Sequence, residues 1–71
     1  MSPEEFRSKA KECRAFTGLP MEEWAREVGV NIGTVSRWES GESVPYPAYR
    51  DAMVLLMEQI AQRCAARKER K

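Results

Sequence analysis

Apolar residues recur every three or four positions along most of this 71-residue chain, and that spacing predicts amphipathic helices. The first predicted helix begins at Ser2 and Pro3 and runs to about Phe16. Glu5 stands three residues after Ser2, which is the sequence of a capping box, and proline is favoured at the first helical position because its missing N–H costs no hydrogen bond there. The predicted apolar stripe of this helix consists of Phe6, Ala10, Cys13 and Phe16.

Two shorter helices are predicted after the break "TGLP". The first covers residues 21–28, and Gly29 ends it. Asn31 is suited to cap the second, which we expect from about residue 32 to residue 38 or 39. The predicted core-facing residues of the two helices are Met21, Trp24, Ala25, Val28, Val35 and Trp38.

A long fourth helix is predicted from about Pro47 to Ala66, after a loop rich in serine and proline. Its apolar stripe consists of Tyr49, Ala52, Met53, Leu56, Met57, Ile60 and Cys64, widened by Val54, Leu55 and Ala61. This surface exceeds what one small core covers, so we expect part of it to meet a second copy of the chain. The predicted dimer interface is Met53, Leu56, Met57 and Ile60, with a purely internal role as the alternative.

No segment indicates a strand, so the predicted fold is all-α: a compact bundle of four to five helices with a long C-terminal helix. Residues 1–66 are predicted to form one domain, and residues 67–71 a solvated basic tail. A domain of this length gains little stability from its core alone, which also favours a partner chain. The chain has no apolar run of membrane-spanning length and no signal-like start, so we expect a cytoplasmic protein without a membrane partner.

The residues that carry enzyme chemistry are scarce. The chain has no histidine, and Cys13 and Cys64 lie far apart without a second ligand residue beside either of them. The usual zinc ligand sets and the commonest general base are therefore missing. We expect reduced, partly buried thiols, no catalytic residue, no metal, no cofactor and no small-molecule ligand.

The stretch "VGVNIGTVSRWESGE" joins two short helices through a tight glycine turn, which is the pattern of a helix-turn-helix. The longer segment "GLPMEEWAREVGVNIGTVSRWESGESVP" resembles the Cro/phage-repressor (xenobiotic-response-element) type helix-turn-helix family, and the resemblance covers roughly Lys11 to Pro45. It implies sequence-specific binding of double-stranded DNA by a homodimer on an inverted repeat. A chain this short is similar to phage and mobile-element regulators, including anti-CRISPR-associated autorepressors and antitoxins.

The resemblance also implies roles for particular residues. Arg37 can pair bidentately with guanine, Ile32 can cover a thymine methyl, and Gly33 lets the backbone approach DNA closely. Arg14 and Glu39 match an ion pair that joins the first helix to the end of the recognition helix. The implied DNA-contacting set is Asn31, Ile32, Gly33, Thr34, Ser36 and Arg37.

Two features favour a different function. Met21 stands where the family commonly has a glutamine that donates to a phosphate, and a methionine cannot donate. The net charge of the chain is only +1, because residues 58–71 sum to +3 and residues 1–57 sum to −2. The prediction from the resemblance remains a homodimeric repressor that occludes a promoter, and these two features make a protein-binding module of antitoxin or anti-repressor type the alternative. A small enzyme is a distant third possibility.

Overall fold

Capping residues that the sequence marks begin α1 and α3, and glycines end the first three helices. The structure, a computed structural model, describes residues 1–69, with side chains through residue 67. It contains α1 (Pro3–Thr17), α2 (Met21–Val28), α3 (Ile32–Ser40) and α4 (Pro47–Glu69). Residues 1–69 contain no strand, which confirms the prediction of an all-α fold with a long C-terminal helix.

The caps have the predicted geometry. Ser2 Oγ accepts from the Glu5 backbone N–H at 3.1 Å, and Glu5 Oε1 accepts from the Ser2 N–H at 2.9 Å, so the capping box is complete. Accepting the bond from the Ser2 backbone also lowers the pKa of Glu5. The first three helices each end at a glycine with a positive φ between 71° and 86°, a conformation that side chains disfavour: Gly18, Gly29 and Gly41.

All four helices contribute to one core. Phe6 and Trp38 pack edge to face, with ring centroids 5.3 Å apart and planes at 89°. Trp24 is also buried, so both tryptophans pack in the core as their positions on the predicted stripes indicate. The buried apolar residues are Phe6, Ala10, Cys13, Trp24, Ala25, Val35, Trp38, Val54, Met57, Ile60, Ala61 and Cys64.

One prediction about the core-facing residues of α1 is wrong. Phe16 is 64% exposed, and Thr17 is buried instead. The residues that α1 buries are spaced by four, three and four positions, and Phe16 lies one residue, about 100° of rotation, away from that line. Thr17 is buried without an unpaired hydroxyl, because its Oγ1 donates to the Arg14 carbonyl at 2.7 Å and accepts from the Leu19 N–H at 3.1 Å.

The predicted apolar stripe of α4 is partly wrong. Tyr49, Ala52 and Leu56 are exposed, while Val54 and Ala61, which the pattern placed at the margin of the stripe, are buried. The helix carries apolar residues around most of its circumference, so periodicity alone does not locate the face that packs on α1 and α2. The helix also continues to Glu69, so three residues of the predicted tail are helical, and residues 70–71 lie outside the described part of the chain.

The predicted dimer interface is partly wrong, again because α4 carries apolar residues around most of its circumference. Met57 is 0% exposed and Ile60 is 3% exposed, so both belong to the core of the single chain and neither is available to a second copy. Met53 is partly buried against that core. Of the four predicted interface residues only Leu56, at 41% exposure, lies mainly on the surface.

The molecule is elongated along α4. Its principal dimensions are 38 × 20 × 17 Å, and the 23 residues of α4 span about 34 Å at the usual rise per residue. Within the described residues, no helix combines the length and the apolar character needed to cross a membrane.

Candidate nucleic-acid interface

A three-residue turn, residues 29–31, joins α2 to α3. Gly29 turns the chain at φ 86°, and the N–H groups of Gly29 and Val30 both donate to the Ala25 carbonyl, at 2.9 and 3.0 Å. Val30 is partly buried against the core. The turn is therefore fixed by backbone bonds and by packing, which gives α3 a defined position relative to α2.

α3 has one buried side and one open side. Val35 and Trp38 anchor it in the core with 1% and 7% exposure. The six predicted DNA-contacting residues lie together at the N-terminal end and along the open side. Asn31, Ile32, Ser36 and Arg37 are exposed, and Gly33 and Thr34 are partly buried. The structure thus brings together on one surface the six residues that the resemblance implies contact DNA.

Asn31 caps α3 as predicted. Its Oδ1 accepts from the Gly33 backbone N–H at 2.7 Å, so the carbonyl end of the amide is engaged within the protein. The Asn31 side chain is exposed, and its amide N–H groups are the part that can donate to a phosphate. One residue can therefore begin the helix and still serve as a backbone contact.

Arg37 lies back along α3 toward its N-terminus. Its Nη2 donates to Thr34 Oγ1 at 3.3 Å. A Cβ placed on Gly33 would lie 3.3 Å from Arg37 Nη1 and 3.0 Å from Asn31 Oδ1. The missing side chain of Gly33 therefore leaves room both for the arginine and for the cap, and the guanidinium lies in the middle of the open side.

The predicted ion pair between α1 and α3 is confirmed. Arg14 donates from Nε to Glu39 Oε2 at 2.8 Å and from Nη2 to Glu39 Oε1 at 2.9 Å, a bidentate contact. Glu39 is 7% exposed and the Arg14 side chain 32%. The bond to this carboxylate raises the pKa of Arg14 further. A largely buried charge pair thus fixes the C-terminal half of α3 against α1.

A second arginine, which the sequence analysis missed, holds the same end of α3. Arg7 Nε donates to the backbone carbonyl of Glu39 at 2.9 Å, where a helix has unpaired carbonyl groups and the negative end of its dipole. Arg7 precedes Arg14 by seven residues, which is two helical turns and so the same side of α1. That spacing is the signal by which the sequence could have identified it.

The region next to the open side of α3 is not uniformly favourable to DNA. Met21 is partly buried and packs against the core, so it supplies no donor in place of the family's glutamine. Glu22 is exposed in the first turn of α2 and lines a groove with Ile32. Its charge suits the helix dipole but repels phosphates. Met21 and Glu22 therefore offer no contact to a phosphate.

The described residues contain no group of three or more side chains suited to hold a metal ion. Cys13 and Cys64 are free and buried. Burial is the main cause that raises the pKa of each thiol, with a further contribution from Glu58 at Cys13 and from Glu27 at Cys64. Both thiols are therefore neutral at physiological pH. Cys13 packs as a small apolar group, whereas Cys64 Sγ also accepts from Arg67 Nη2 at 3.3 Å.

Comparisons of the chain with protein-family models, with curated proteins and with solved structures found no match.

Proposed function

We propose that this protein is a sequence-specific DNA-binding regulator that inserts the open side of α3 into the major groove. The observation that carries the proposal is the position of Arg37. It lies exposed in the middle of a helix whose opposite side is anchored in the core, among small polar residues and Ile32. α3 has nine residues. An α-helix with its side chains is about 10–12 Å in diameter, so it fits a major groove about 12 Å wide.

Each group on the open side has a partner of matching chemistry in DNA. The Arg37 guanidinium can donate two parallel bonds to the O6 and N7 atoms of a guanine, and Ile32 can contact a thymine methyl. Ser36 and the Asn31 amide can donate to phosphates or base edges. Among the residues that the structure describes, Arg37 is held only by a long, exposed bond to Thr34, at 3.3 Å, so releasing it toward a base costs little.

Regulation by occlusion completes the proposal. Two copies of α3, bound in successive major grooves of an inverted repeat, would cover a promoter and exclude polymerase. Promoter occupancy would then follow protein concentration through the dimer equilibrium. As such a regulator the protein would act in the cytoplasm, on a phage or mobile-element promoter of the kind the sequence resemblance implies.

The test begins with selection of bound duplexes from a random DNA library at near-physiological salt, because phosphate contacts make affinity depend on salt. We expect enrichment of an inverted repeat whose half-site centres lie about 34 Å apart. Replacing Arg37 with alanine should weaken binding to the selected site by about 1–3 kcal/mol and relax the preference at one base pair per half-site.

Lys9→Ala is the matched control, since it also removes one exposed positive charge but lies on a different side of α1 from Arg7 and Arg14. It should change affinity less than Arg37→Ala and leave base preference intact. Equal effects of the two substitutions would mean that Arg37 acts only through its charge, and the assigned interface would be wrong.

A protein-binding module is the second candidate, because Met21 offers no donor and Glu22, which lines a groove with Ile32, repels phosphates beside α3. This candidate predicts that no sequence is enriched from the library at any salt concentration at which the protein stays folded. It would then be preferred over the DNA-binding proposal.

A further inference from the structure

The face of α4 that points away from the core carries no charge along its described length. Six exposed residues form this face, and their spacing alternates between four and three positions. Such spacing keeps residues on one side of a helix and is the repeat by which two helices pack in a coiled coil. We call these residues the outward stripe: Ala48, Ala52, Leu55, Gln59, Gln62 and Ala66.

The rest of the protein surface makes this stripe unusual. Charged residues occupy most of the exposed positions of α1 and α2 and make up 32% of the chain. On the outward side of α4, by contrast, Leu55 is 56% exposed and Leu56, beside the stripe, is 41% exposed. Phe16, 64% exposed, borders a groove that it shares with Gln62 and with the carboxylates of Glu12 and Glu58, so an exposed aromatic ring lies beside one edge of the stripe.

The charges beside the stripe indicate which partner covers it. Asp51 and Glu58 flank it on one side, and Leu56 and Arg63 flank it on the other. If a second copy lies parallel and in register, Glu58 of one copy faces Arg63 of the other, five residues further along, and symmetry makes this pair twice. The protein's own sequence thus supplies a complementary surface.

The antiparallel arrangement lacks this complementarity. If the stripes meet antiparallel around their midpoint, residues on the same flank face one another, and Glu58 of each copy lies near Glu58 of the other. In the parallel arrangement the basic C-terminal ends of the two α4 helices lie near each other and repel. This repulsion is reduced because Arg67 is already paired with Glu27, at 3.0 Å, within each chain.

We propose that two copies of this protein dimerise through the outward stripe of α4, with the helices parallel and in register and with Glu58 of each copy paired to Arg63 of the other. Gln59 and Gln62 lie inside this interface, where polar residues restrict the register at some cost in affinity. That two copies act together rests on the proposed function, whereas the contacts of this interface are argued from α4 alone.

The test is sedimentation equilibrium of the full-length protein without DNA. Leu55→Glu places two carboxylates at the centre of the interface and should weaken the dimer at least tenfold. Glu58→Arg and Arg63→Glu each turn two attractions into two repulsions and should each weaken it about tenfold. The double variant Glu58→Arg with Arg63→Glu restores opposite charges and should return to within about threefold of wild type.

Glu42→Arg, in the loop before α4, is the matched charge-reversal control and should leave dimerisation unchanged. Helical circular dichroism of each variant, measured at a concentration where wild type is monomeric, checks that folding is intact. An unchanged dimer in Leu55→Glu would overturn the choice of face. A double variant no better than the single variants would overturn the parallel register, and a wild-type protein that stays monomeric at millimolar concentration would overturn the whole inference.

Failure of this inference is distinguishable from failure of the proposed function. A dimer that responds to these substitutions but binds no DNA would refute DNA binding and leave the interface in place. A monomer whose binding to a single half-site depends on Arg37 would do the reverse.

Discussion

Replacing Arg14 with alanine tests whether the contact between α1 and α3 stabilises the fold. The substitution removes both hydrogen bonds, at 2.8 and 2.9 Å, from the Glu39 carboxylate, which is 7% exposed in the intact pair. Arg7 still donates to the Glu39 backbone carbonyl, so α3 keeps one attachment at this end. What the variant loses is compensation of a buried negative charge.

The expected cost follows from burial. Removing one partner of a fully buried ion pair costs about 3–5 kcal/mol. The Arg14 side chain is 32% exposed, so water can reach part of the vacated space, and we expect about 2–3 kcal/mol for this site. A domain of this size has a total stability of about 4–10 kcal/mol. The melting temperature should therefore fall by roughly 10–20 °C.

Urea unfolding, followed by helical circular dichroism and tryptophan fluorescence, measures this free energy. Arg26→Ala is the matched control, because Arg26 is 72% exposed and lies 3.7 Å from Glu22, and we expect it to cost no more than about 0.5 kcal/mol. The double variant Arg14→Met with Glu39→Met should recover at least half of the loss, since it buries no unpaired charge. Equal stability of Arg14→Ala and Arg26→Ala would refute the reasoning.

Three further predictions concern single sites. Gly41→Ala forces a side chain into φ 81° and should lower the free energy of unfolding by at least about 1 kcal/mol in urea titrations. Cys13 and Cys64 should react with a thiol reagent at pH 7 only at the rate of unfolding, because both are buried and their pKa values are raised; a fast reaction with folded protein would contradict this. The bond from Arg67 lowers the pKa of Glu27 below its value in the unfolded chain. The stability that this bond contributes is therefore fully present above the unfolded pKa and is lost as pH falls through the folded pKa. Arg67→Ala should flatten that part of the stability–pH curve in acid titrations of unfolding.

The boundaries of the first three helices could be predicted from the sequence because short-range chemistry sets them. Ser2 and Asn31 cap helices through bonds to residues two or three positions away, and Gly29 ends α2 by its own backbone conformation. None of these interactions depends on the tertiary fold. The same locality explains why the candidate DNA-contacting surface, which lies within seven consecutive residues, could be predicted as a group.

The orientation of α4 could not be predicted in the same way. Its apolar residues cover more than one face, so the residues that pack inward depend on where α1 and α2 lie, and no local signal records this. Met57 and Ile60 consequently moved from the predicted interface to the core, and Leu55 from the margin of the stripe to the surface. The role of Arg7 also depends on the tertiary fold, since its acceptor is a backbone carbonyl 32 residues away.

The anchoring of α3 explains how its open side can vary without loss of the fold. A helix of nine residues is marginal by itself in water, so its position must be supplied by attachments to the rest of the chain. These are the two arginines from α1, which bind the Glu39 carboxylate and carbonyl, the buried Val35 and Trp38, and the caps at either end. Only the Asn31 cap belongs to the candidate DNA-contacting set. Substitutions at Ser36 or Arg37 should therefore change recognition with little effect on stability, which is the property that a surface reading different DNA sequences requires.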